Sequence, residues 1–186
     1  MVRLASATAA LAFLTLVDLS AAQHLTAAFA CAAALAQAIG RLRCLVQGCC
    51  HGSPVIKVPG IRVVHPKSRV TALSKLDGIP IHPTQLYSIV GNVLIFIVLF
   101  RLWFSGATAT FIGGLYLILS SLARFVEEQY RGELQTPKVF DLAVYQWLAI
   151  ILFVVGIVIS MLDGVPIQAA SVMTWPGFLI ATVSGI

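Results

Sequence analysis

Charge is what this chain has least of. Only 10% of its 186 residues are Asp, Glu, Lys or Arg, where a soluble domain carries roughly 25%. With 59% hydrophobic residues and a mean hydropathy of +0.96, the shortage excludes an ordinary soluble globule and leaves an integral membrane protein. Acids are scarcer than bases, seven against twelve, for a net charge of +5. So few charges make no nucleic-acid footprint, and the bases gather in one loop, which suits anionic membrane lipid better. Cysteine is also sparse. Cys31, Cys44, Cys49 and Cys50 supply no secreted disulfide framework in a chain this apolar. No long internal repeat is apparent, and the length allows one domain over residues 1–186.

What is present is a series of apolar runs. Residues 4–19 form the first, with Asp18 placed at the interface. Arg3, the short apolar core and Ser20-Ala21-Ala22 also fit a secretory signal peptide, but further spans follow at once, so the run is read as membrane-spanning. Residues 25–46 form an alanine-rich second helix, of the kind whose small side chains allow close packing in lipid. Arg41 and Arg43 follow its apolar part and lie near an interface. Residues 48–83 change character, with Lys57, Arg62, Lys67, Arg69 and Lys75 set among Pro54, Pro59, Pro66 and Pro80. This reads as a long extramembrane loop, with short strands around residues 55–64. Further spans are expected at 86–104, 108–131 and 142–162, and the Pro- and Gly-interrupted tail at 163–186 is either a weak extra span or a re-entrant piece. The fold class is therefore all-α, a polytopic membrane helix bundle of five to six spans. That count puts the N-terminus, the 48–83 loop and the charges at 127–141 on one membrane side.

The stretch from 113 to 137 organises the rest. It begins as a membrane helix and ends in Arg124, Glu127, Glu128, Arg131 and Glu133. Arg124, Glu128 and Arg131 fall at i, i+4 and i+7 and so share one helical face, with Ser120 one turn earlier. Two guanidiniums around a carboxylate make a pre-oriented anion site, because Arg presents a planar fork of donors suited to phosphate. The alternative is a helix end whose charges snorkel into headgroups.

Two other segments carry polar groups. In GRLRCLVQGCCHG (40–52), Cys44, Cys49, Cys50 and His51 invite a zinc reading. There is no C-x₂-C pair, however, and adjacent cysteines rarely ligate one metal well, so no metal is expected. Gly48 and Gly52 instead allow tight turns beside Arg41. HPTQLY (82–87) opens a helix whose free N–H groups favour an anion, or which is simply a capping device with an interfacial tyrosine.

GRLRCLVQGCCHG, HPTQLY, ARFVEEQYRGE (123–133) and YQWLAI (145–150), in this order and between spans, resemble the prolipoprotein diacylglyceryl transferases over roughly residues 34–162. The resemblance implies a multi-pass enzyme of the bacterial inner membrane. It would move the diacylglyceryl group of phosphatidylglycerol onto the lipobox cysteine thiol of a preprolipoprotein, releasing glycerol 1-phosphate, with no cofactor. It carries catalytic roles over to Arg41, Arg124 and Arg131, with Glu128 orienting an arginine or helping to take the thiol proton. Substrate contacts would fall to Gln47, Gly48, Gly52, His82, Gln85, Tyr87 and Gln146. Arg43, Gln47 and Ser88 stand where the family usually has Gly, Asn and Glu, and no His-Gly-Gly element lies upstream, so a short or divergent member is expected. The family orientation faces the motifs to the periplasm, against the positive-inside count. A non-catalytic phosphatidylglycerol-binding paralogue and a small transporter are the alternative functions.

Overall fold

Five α-helices, four of them long, dominate the computed structural model, which describes residues 18–55, 60–132, 138–140 and 142–167. The first, α1 (Leu19–Gln47), is 29 residues long, or about 43 Å at 1.5 Å per residue. That exceeds a hydrocarbon core of about 30 Å, and Arg41 and Arg43 lie in its last two turns. Its buried residues are Ala27, Ala30, Cys31, Ala34 and Ala38, a small-residue stripe at helical spacing that lets neighbouring helices approach closely. The helix begins earlier than the apolar pattern indicates. Leu19, expected to close the first run, already lies in α1, because Asp18 and the small residues after it start the helix. Residues 4–17 of that run lie outside the described residues.

Beyond Gly48, whose left-handed φ of 69° ends α1, the 48–83 segment is a loop as expected. It holds the two-residue strands β1 (Ile61–Arg62) and β2 (Pro80–Ile81), paired antiparallel with Ile61 opposite Ile81. A single helical turn, α2 (Arg69–Ala72), lies between them. Arg62, Lys67, Arg69 and Lys75 are all exposed; Lys57 lies outside the described residues. Next come α3 (Thr84–Phe104) and α4 (Ala109–Tyr130), joined by a turn at Gly106 with φ 75°. A small hairpin of β3 (Lys138–Val139) and β4 (Leu142–Ala143) then leads into α5 (Val144–Ser160). Residues 142 and 143, expected inside the last span, are therefore strand.

Among the described residues, α1, α3 and α4 are long and apolar enough to cross a membrane, and α5 is a shorter apolar helix of 17 residues. The protein is a polytopic membrane helical protein. Its outer faces confirm the solvent: Leu94, Val154 and Val158 are each more than half exposed, which acyl chains tolerate and water does not. Residues 168–186 lie outside the described residues. Before them, the chain crosses the end of the bundle, where the Ala109 N–H donates to the Val165 carbonyl and the Ile167 N–H to Ala107. The core at that end joins Ala27 and Ala34 to Ile95, Leu99, Ile112 and Ile167.

Two glycines set the closest helix crossing. A Cβ built on Gly156 of α5 would sit 2.8 Å from the Gly114 carbonyl oxygen and 3.0 Å from the Ile118 nitrogen of α4. Backbone cannot yield as a flexible side chain does. Gly156→Val is expected to destabilise the protein by about 3 kcal/mol, the upper end for overpacking. Gly91→Ala, which meets nothing within 4 Å, serves as the control. Thermal unfolding in detergent measures both, and equal melting temperatures would contradict this packing.

Candidate functional site

The C-terminal ends of α1 and α4 and the N-terminal ends of α3 and α5 meet on one side of the bundle. There the 48–83 loop is tied to the end of α4 by backbone. Gly52 bridges Arg131, Ser53 N–H donates to the Tyr130 carbonyl at 2.8 Å, and Gly132 N–H donates to His51 at 3.1 Å. This places the loop and the charged helix end on one side, as the span order required.

The charges form an alternating row. Arg41 Nη2 lies 3.1 Å from Glu127 Oε1, and Arg124 Nη1 lies 3.4 Å from the same oxygen. Arg124 Nη2 then reaches Glu128 Oε2 at 3.2 Å, and Arg131 Nη1 reaches that oxygen at 3.3 Å. Both carboxylates are almost wholly buried, at 7% and 5% exposure, whereas Arg41 and Arg124 keep 21% and 27%. Buried carboxylates need such partners, since an unpaired one carries a large desolvation penalty. The shared face of Arg124, Glu128 and Arg131 is present, although Arg131 has left the helix for extended backbone at ψ 137°. Arg124 also stacks over Tyr145 of α5, 5.2 Å from the ring centre.

A cavity of about 400 Å³ opens between α1, α3 and α4, lined by Arg41, Arg124, Glu127, Ser120, Tyr87 and Asn92 among others. Glu128 and Arg131 are not among its lining residues. Glu127 is thus the carboxylate at the cavity, and the choice of Glu128 alone missed it. The signal was available, since Glu127 is equally an acid in an apolar helix, but its bond to Arg41 spans 86 residues. Gln37 was missed as well; it lines the cavity and donates to Tyr116 Oη at 2.6 Å.

The other expected contact residues divide. Tyr87 faces the cavity, and His82 Nδ1 lies 3.4 Å from its hydroxyl. The His82 ring also packs 5.0 Å from that of Tyr130, another cavity residue. Gln47, Gly48 and Gln85 line a separate cavity of about 290 Å³ under the loop. Gln85 is buried and donates to the Cys49 carbonyl at 2.8 Å, while Thr84 Oγ1 donates to Cys50 at 2.7 Å. The first turn of α3 therefore clasps the 49–50 peptide. The N–H groups of Thr84, Leu86 and Tyr87 donate to the His82 and Pro83 carbonyls, and Pro83 at the N-cap makes no side-chain capping bond. Gly52 packs against His82 with no room for a side chain. Gln146 is buried and caps α5, accepting the Ala143 N–H at 2.9 Å. His51 turns away from the cysteines and pairs with Ser74 Oγ at 2.7 Å. Burial, reinforced by Cys44 and Cys50, pushes the Cys49 thiol up to about 11, so it is a protonated and poor nucleophile near neutral pH.

The family model for prolipoprotein diacylglyceryl transferase matches residues 4–162. A phosphatidylglycerol–prolipoprotein diacylglyceryl transferase of Clostridium tetani (strain Massachusetts / E88) is 32% identical over 132 residues, covering 70% of this chain and 49% of the relative. A second, transferase 2 of Clostridium perfringens (strain 13 / Type A), is 30% identical over 132 residues, covering 68% and 46%. The chain spans about half the length of these curated relatives. No solved structure matches it significantly. The chain belongs to the prolipoprotein diacylglyceryl transferase family.

Proposed function

We propose that the protein transfers the diacylglyceryl group of phosphatidylglycerol to the lipobox cysteine thiol of a preprolipoprotein, releasing glycerol 1-phosphate. The row Arg41–Glu127–Arg124–Glu128–Arg131 carries this reading. Three guanidiniums against two carboxylates leave one net positive charge, which matches the single negative charge of a phosphodiester headgroup. The substrate thiolate attacks the glycerol carbon bound to phosphate. The sulfur–carbon bond forms, the carbon–oxygen bond breaks, and its electron pair passes to the phosphate, which becomes a dianion. Arg41 and Arg124 face the cavity where that charge develops, in a setting where preorganised donors act most strongly. The nucleophile belongs to the substrate, so no cysteine of this chain is required.

The thiol proton passes to Tyr87 Oη as that hydroxyl gives its own proton to His82 Nδ1. General-base assistance supplies about 10²–10⁴-fold, so His82→Gln is expected to lower kcat by roughly 10²-fold with little change in KM. A variant that loses only protein yield and keeps its kcat would assign His82 to packing.

The site faces the periplasmic side of a bacterial inner membrane in this reading, and the exposed bases of the loop draw in anionic lipid. A Lys67→Cys probe should react in intact cells with a membrane-impermeant maleimide; reaction with a permeant reagent alone would reverse the orientation. The reaction itself is tested by product stoichiometry: one glycerol 1-phosphate should appear for each peptide thiol consumed. Thiol loss without glycerol 1-phosphate would refute it.

A further inference from the structure

The loop that follows α1 brings together three thiols that the transfer chemistry leaves unused. Cys44 lies in the last turn of α1, and Cys49 and Cys50 follow its Gly48 cap. Their sulfur atoms all lie within 4.8 Å of one another, and each residue is half-buried. None of the three lines the cavity beside Arg41.

Two backbone features build this cluster. Gly48 reverses the chain in the left-handed region, so the Cys49 N–H donates back to the Cys44 carbonyl at 3.2 Å. Cys50 also adopts a left-handed φ of 54°, as Lys75 and Phe140 do, a conformation uncommon for side-chain-bearing residues. On an extended chain, neighbouring side chains point to opposite faces. The left-handed kink at Cys50 lets two adjacent cysteines share one, which removes the objection that the bare spacing raised. The loop is fixed from outside as well, since Thr84 and Gln85 hold the Cys50 and Cys49 carbonyls.

We propose that Cys44, Cys49 and Cys50 form a three-sulfur site for a thiophilic divalent d¹⁰ cation of the Zn²⁺ type. A Zn–S bond of about 2.3 Å sets ligand sulfurs about 3.8–4.0 Å apart, so the trio needs to contract by less than about 1 Å from its present spread. Sulfur donors select soft and borderline ions over Mg²⁺ or Ca²⁺. On binding, each thiol gives its proton to water and becomes a thiolate ligand, so three protons leave as one cation enters, with water completing a four-coordinate shell. The bound ion fastens the end of α1, which bears Arg41, to the loop that Gly52 ties to Arg131.

Cadmium is the probe, because thiolate-to-Cd²⁺ charge transfer absorbs in the ultraviolet. The full chain, purified in detergent and reduced with a phosphine, is titrated with Cd²⁺. Aliquots are alkylated with a maleimide and mapped by mass spectrometry. The expected result is one Cd²⁺ per chain, with a charge-transfer band and with Cys44, Cys49 and Cys50 protected together. Cys44→Ser and Cys50→Ser should each weaken binding roughly tenfold or more, and Cys31→Ser should leave it unchanged. If excess Cd²⁺ gives no band and all three cysteines remain alkylated in the unaltered chain, the proposal is overturned. A band that survives both serine variants overturns it equally. The protection pattern needs no variant, so a misfolded substitution cannot mask the outcome.

Discussion

Arg124→Ala is expected to reduce diacylglyceryl transfer by roughly 10²–10³-fold while leaving the protein folded. The two halves of that expectation come from the same geometry. Arg124 is the middle cation of the row, bonded to both Glu127 and Glu128, and it faces the cavity. As the carbon–oxygen bond breaks, the departing phosphate gains a second negative charge, and a preorganised donor aimed at such charge contributes roughly 10²–10³ in rate. The fold survives because neither carboxylate is orphaned: Glu127 keeps Arg41 at 3.1 Å and Glu128 keeps Arg131 at 3.3 Å. Arg124→Lys should recover only part of the rate, since one ammonium cannot reach two carboxylates and a phosphate as a planar fork does. The measurement is kcat/KM with a phosphatidylglycerol–detergent mixture and a lipobox peptide. Unchanged kcat/KM in the alanine variant would remove Arg124 from the chemistry.

Glu127→Ala is expected to fail differently, losing stability and turnover together. Glu127 is 7% exposed and joins α1 to α4 through Arg41. Removing one member of a buried pair costs about 3–5 kcal/mol. Here the lower figure applies, because Arg41 retains 21% exposure and Arg124 retains Glu128. The cavity would then carry two net positive charges in place of one. Phosphatidylglycerol should bind at least as tightly, while kcat falls because Arg41 and Arg124 lose the group that fixes their direction. A double-mutant cycle of Glu127→Ala with Arg41→Ala isolates the pair, with an expected coupling of about 1–3 kcal/mol. Additive effects would show that the Arg41–Glu127 contact contributes nothing in solution.

Local spacing made part of this site legible in the sequence and long-range packing hid the rest. Arg124, Glu128 and Arg131 could be placed on one face because three residues within two turns obey helical periodicity. Arg41 and Glu127 could not be joined that way, since their meeting depends on how α1 crosses α4. The same limit applies to Gly114 and Gly156, whose mutual approach leaves no local pattern in either helix. The family resemblance implied substrate contacts at Gln85 and Gln146. Each holds a backbone group with one amide atom, Gln85 on the Cys49 carbonyl and Gln146 at the start of α5, and keeps the other, Gln85 Oε1 and Gln146 Nε2, buried without a bond, which local spacing does not reveal. The cysteine cluster was illegible for another reason. A left-handed Cys50 is invisible to spacing rules, which assume that neighbouring side chains diverge. Apolar run length revealed the helices well, and it misplaced the start of α1 because small residues such as Ser20, Ala21 and Ala22 suit either a helix or a link.

The central claim is that the alternating arginine–glutamate row performs lipid transfer, and one measurement addresses it most directly. Purified full chain is incubated with phosphatidylglycerol and a lipobox peptide, and the peptide is weighed by mass spectrometry beside a parallel Arg124→Ala reaction. A mass gain of one diacylglyceryl group on the cysteine, reduced at least roughly 10²-fold in the variant, is the predicted result. An unmodified peptide, from protein that still binds phosphatidylglycerol, would contradict the account and leave the row as a lipid-binding site without chemistry.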